Sequence, residues 1–100
     1  MSINLNTTIV TTTPYTIAGT DEVVLVNVAN AAAVTLPAVT VSDTGLAFYI
    51  KDISGDATVN PITISAPGNV LVDGTAFALL NRGYSHIQVI YDGTNWEIIA

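Results

Sequence analysis

Thr, Val and Ile supply 37 of the 100 residues. Branching at Cβ restricts χ1 and suits a pleated strand better than a helix, so this one bias predicts a fold made of β-strands. Residues 29–33 are the only stretch with fair helix propensity, and an isolated helix that short is marginal, so a loop is expected there. The chain reads as all-β.

The clearest strand signal lies near residue 93. Ile87, Val89 and Tyr91 alternate with His86, Gln88 and Ile90, and beyond Asp92-Gly93-Thr94-Asn95 the residues Trp96 and Ile98 alternate with Glu97 and Ile99. Asp-Gly between two alternating runs predicts a hairpin, since both residues tolerate the positive φ of a tight turn. Upstream, short apolar runs at residues 15–18, 23–28, 34–36, 46–53, 62–64, 70–72 and 77–80 are separated by polar turns. Residues 23–28 (VVLVNV) are apolar on both faces, as in a strand buried on both sides, either in a sandwich or at a subunit contact. Turns recurring every 8–12 residues predict an antiparallel β-sandwich or jelly-roll-like barrel. With no visible repeat, a solenoid is not expected, and a short β-helix-like stack is the lesser alternative. Pro14 separates an N-terminal edge strand or extended arm, residues 1–13, from a single domain, residues 14–100.

Charge narrows the function. Lys51 and Arg82 face eight carboxylates, for a net charge of −6. That deficit of cations argues against binding nucleic acid or an anionic membrane. Without Cys there is no disulfide or thiolate metal site, and no basic-then-apolar leader opens the chain. No apolar run reaches the ~20 residues that span a bilayer.

Catalytic patterns are weak. His86 is the only histidine, and its neighbour Ser85 points to the other face of the same strand, so the two form no dyad. Asp52, Ser54 and Asp56 resemble half a calcium loop, but residues 57–59 (ATV) supply none of the remaining ligands, which favours a polar turn. Glu22 and Glu97 are the only glutamates available for a glycosidase pair. No catalytic activity, metal or cofactor is expected. Among the aromatics, Tyr84, Tyr91 and Trp96 are assigned to the core or to a subunit contact, with Tyr91 and Trp96 as cross-strand neighbours. In the Thr-rich N-terminal segment Ile3, Leu5 and Ile9 are the candidate partner contacts, made by strand addition.

Six segments carry a resemblance: Thr35-Leu36-Pro37, Tyr49-Ile50-Lys51-Asp52, Asn60-Pro61-Ile62-Thr63-Ile64, Val72-Asp73-Gly74, Gly83-Tyr84-Ser85 and Tyr91-Asp92-Gly93-Thr94-Asn95-Trp96. In order and spacing they resemble a module found at the ends of bacteriophage tail-fibre and other virion-associated proteins. The resemblance implies a β-rich, trimer-forming structural module without catalytic activity. Family members carry the module on a long fibre, whereas here a Met stands some thirty residues before it. A homotrimeric capsid decoration (cement) protein is therefore expected, made in the host cytoplasm, placed on the virion surface and bound to the major capsid protein or another virion protein. A glycan-recognising tail-fibre tip is the alternative. Apolar surface left on a monomer agrees with closed oligomerisation.

Overall fold

A computed structural model describes residues 4–100. Its strands are β1 (Thr7–Val10), β2 (Tyr15–Thr16), β3 (Val23–Val26), β4 (Ala32–Thr35), β5 (Ala47–Asp52), β6 (Ile62–Ser65), β7 (Phe77–Leu80), β8 (His86–Tyr91) and β9 (Trp96–Ile98). A single 3₁₀ turn, Val41–Asp43, is the only helical element among the described residues. The fold is all-β, as the β-branched composition predicts.

Two mixed sheets result. One has the order β1-β3-β5-β8-β9 and the other β2-β4-β6-β7. Through β6 the chain changes sheet after every strand, and in each sheet the first three strands run parallel. This is the winding of a short coil. Beyond β6 the chain reverses: β7 pairs antiparallel with β6, β8 with β5, and β9 with β8.

The antiparallel, jelly-roll-like expectation is corrected accordingly. Turn residues such as 19–22 show that the chain changes direction, but not whether the next strand pairs with the last one. Here the turn carries it across the core, from β2 to β3 in the other sheet. A sequence repeat is not needed for such stacking. Each rung requires only an inward apolar residue every second position. Two smaller corrections concern boundaries: β4 begins inside the alanine run at Ala32, and residues 70–72 contribute only the isolated bridges of Val72 to Thr75 and Trp96.

The inner faces of both sheets contribute to one apolar cluster. Val24, Val26, Phe48, Ile50 and Val89 come from the larger sheet, and Val34, Ile62, Ile64 and Leu80 from the smaller. Residues at the corners extend the stack. The Ile17 N–H donates to the Thr35 carbonyl at 2.8 Å and the Leu36 N–H to the Ser65 carbonyl at 2.7 Å, and both side chains are buried. Within the chain, residues 23–28 are covered on one face: Val24 and Val26 point inward, while Val23 and Leu25 remain half-buried on the outside. The larger sheet thus has an outer face with no layer over it among the described residues.

Candidate functional site

Strand alternation and register lay out that outer face. At one end Ile9, Leu25, Lys51 and His86 lie side by side across β1, β3, β5 and β8. Next to them run Thr7, Val23, Tyr49 and Gln88. Ala47, Ile90 and Glu97 form the opposite end, with the Asp92 turn just beyond. A shallow groove of about 320 Å³ crosses the face, lined by Leu5, Val23, Leu25, Tyr49, Lys51 and His86. The apolar groove lies toward the Lys51 end, Thr7 and Gln88 flank Val23 and Tyr49 in the middle row, and Glu97 and Asp92 lie at the opposite end.

Local hydrogen bonds fix both ends. The Lys51 ammonium donates to the Tyr84 carbonyl, which holds its charge over the loop that leads into β8. At the acidic end the Asp92 carboxylate accepts from the Thr94 and Asn95 N–H groups, each at 2.8 Å, and these bonds lower its pKa. The interaction with Asp92 raises the pKa of Glu97, and the charge on Asp73 adds to the effect.

Asp52 is the one buried charged side chain among the described residues, 1% exposed. It stands in register with Val10 and Val26 of the two preceding rungs. A charge replaces valine here because the coil stops at this rung and loop amides need an acceptor. Oδ1 accepts from the Ser54 N–H at 3.0 Å and the Ser54 hydroxyl at 2.6 Å; Oδ2 accepts from the Ala57 N–H at 3.1 Å and the Tyr84 N–H at 3.2 Å. Burial opposes ionisation, but these four bonds outweigh it and the pKa is lowered. The half-loop of Asp52, Ser54 and Asp56 is therefore a self-satisfied polar turn, with Asp56 accepting from the Asn60 amide at 2.7 Å. No cluster of three or more metal-ligating side chains occurs among the described residues.

Other sequence-derived candidates separate. Ile3 lies outside the described residues. Leu5 and Ile9 are exposed, Ile9 by 59%, beside the outer face. Tyr84 is 62% exposed at φ +63°, and its ring packs so closely on Gly55 that a Cβ there would lie 2.6 Å from it. Tyr91 and Trp96 are paired neighbours in the core, ring centroids 5.4 Å apart, with Phe48 at 5.7 Å from Trp96. The Ser85 hydroxyl donates to the Arg82 carbonyl at 2.6 Å rather than to His86. Glu22 adjoins β3 and Glu97 lies on β9, three strands away or roughly 14 Å. Glycosidase carboxylates stand ~5–9.5 Å apart.

Of the groove residues, Val23 and Leu25 are marked in the sequence by the two-sided apolarity of residues 23–28, since a second apolar face needs a second cover, whereas Tyr49 and Lys51 carry no such local signal. A separate cavity of about 270 Å³, lined by Pro37, Val39, Pro67, Val70 and Trp96, opens on the far side of the hairpin residue Trp96. No helix of the described residues is long and apolar enough to cross a membrane. Neither a scan against protein-family models nor a search of curated proteins returns a match for this chain.

Proposed function

We propose that the protein is a non-catalytic structural component of a bacteriophage particle, a small homotrimeric decoration protein that braces the capsid by adhesion. The observation that carries the adhesive role is the uncovered outer face of the five-stranded sheet, where Leu5, Val23, Leu25 and Tyr49 form a continuous apolar surface. Soluble monomers rarely keep such patches unless they serve a contact. Beside it, β1 pairs only with β3 among the described residues, which leaves one strand edge free for a capsid segment to join. Assignment to a phage particle draws its support from the six-segment resemblance in the sequence.

A tail-fibre tip that recognises glycans is the second reading. Tyr84, exposed and held over Gly55, is the kind of fixed aromatic platform on which a sugar ring stacks. Gold-labelled antibody on intact particles separates the two. Label over the head supports the decoration role, label at the tail tip supports the fibre reading, and particles without label refute both. Light scattering of the purified protein tests the trimer, and a stable monomer would refute it.

A further inference from the structure

Trp96 is fully buried, yet its indole N–H has no hydrogen-bond partner among the described residues. Buried donors are nearly always paired, because the water they give up has to be replaced by another acceptor. The residue is held firmly in place. Its backbone N–H donates to the Leu71 carbonyl at 2.9 Å, its carbonyl accepts from the Asp73 N–H at 2.9 Å, and Phe48 and Tyr91 pack on the ring. With no protein acceptor in reach, one has to come from protein-free space beside the indole. The cavity of about 270 Å³ that Trp96 lines is such a space. Its walls are residues 37–39, just past β4, and residues 66–68 with Val70, just past β6. The bond from the Leu36 N–H to the Ser65 carbonyl sets these two segments side by side. Ala38, Pro67 and Gly68 are exposed and form the rim. The lining side chains, apart from the indole, are those of alanine, valine and proline. They supply one donor, no acceptor and no charge.

We propose that this cavity binds a proline residue of a peptide, the ring filling the apolar space and an adjoining amide carbonyl accepting from the Trp96 indole N–H. A sugar brings several hydroxyls, each in need of a partner that these walls lack, and a phosphate or carboxylate finds no cation. An ordinary peptide residue brings an N–H as well as a carbonyl, and that N–H would be stranded against the apolar wall. Proline brings the carbonyl alone. Its ring adds apolar bulk and loses little conformational freedom on binding. At about 270 Å³ the cavity falls below the ~300–1,000 Å³ of drug-sized sites, which suits one compact residue. Trp96 opens β9, at the edge of the larger sheet opposite β1, and the cavity shares no residue with the groove on the outer face. The site therefore goes beyond the proposed role in a particle and does not depend on it.

The chain has one tryptophan, so a single indole N–H resonance reports on the site in the nitrogen-labelled full-length protein. The probe is N-acetylproline dimethylamide, which carries two carbonyls and no N–H. It should move that resonance downfield and saturate with a Kd of roughly 1–10 mM, as expected for a ligand of about a dozen heavy atoms. N-acetylalanine methylamide, which brings N–H donors, should bind roughly tenfold more weakly or worse, and glucose should leave the resonance where it is. Ala38→Phe, at an exposed position on the rim, should abolish the saturable shift while the indole signal of the folded protein persists. Pro67→Phe, also on the rim, takes its place if that variant fails to melt cooperatively. A resonance that the proline probe leaves unmoved at about 0.1 M would overturn the proposal and leave water as the partner of the indole. An alanine probe that binds equally well, a shift that glucose also produces, or rim variants that bind as the wild type does would overturn it too.

Discussion

Gly93 sits at φ +102°, and a Cβ built on it would come 3.0 Å from the Thr44 hydroxyl. Gly93→Val places a β-branched residue in a region it rarely adopts and pushes the hairpin turn against the 3₁₀ turn. A destabilisation of about 1–3 kcal/mol is expected, read from the urea midpoint. An unchanged midpoint would show that the turn bears no strain. Asp52 is the other position where one side chain holds several segments together. Asp52→Ala leaves the buried amide of Ala57 and the part-buried amide of Tyr84 without their acceptor, at an expected cost of about 3 kcal/mol. The sign of the pH effect follows from its lowered pKa. Ionised Asp52 contributes stability that is complete above its unfolded value, close to 3.8, and is lost as pH falls through the lower folded value. Asp21, held by the Thr8 and Tyr15 hydroxyls and the Ala18 N–H, acts in the same direction. The melting temperature should therefore be flat from about pH 5 to pH 7 and fall below about pH 4, and Asp52→Ala should flatten that fall. A wild-type melting temperature that stays constant down to pH 2 would refute this account.

At the scale of the element, β1 shows how much one strand's two faces differ. Val10 points inward and is buried, while Ile9 points outward. Val10→Ala should cost about 1–3 kcal/mol and Ile9→Ala about 0.5 kcal/mol or less, measured side by side by urea denaturation. Equal losses would mean that both faces are covered in solution. The closing hairpin was legible in the sequence because its signal is local: the alternation, the Asp-Gly turn and the Tyr91–Trp96 neighbours all lie within a dozen residues. Strand positions at Phe77–Leu80 and Ile62–Ser65 were legible for the same reason. Pairing was not. Thr7 lies beside Val23, and Val23 beside Tyr49, so the parallel register joins residues whose intervening sequence says nothing about it. The outer-face contact residues were hidden for a related reason. Leu25, Lys51 and His86 become neighbours only once three distant strands are set side by side.

For the molecule as a whole, the order of pairing governs how the chain is completed during synthesis. β5 sits in the middle of the larger sheet, yet its second partner, β8, is made more than thirty residues later. Until then β5 has a bare edge, and the core lacks Val89, Tyr91 and Trp96. A nascent chain that has emerged only as far as β7 is thus an open half-coil with sticky margins, the kind of species that chaperones hold and that aggregates when they do not. The hairpin then acts as a latch: a small, locally determined unit whose β8 covers the open edge of β5. Damage to residues 86–100 would accordingly be felt as loss of yield in the cell before it was felt as loss of any contact on the finished surface.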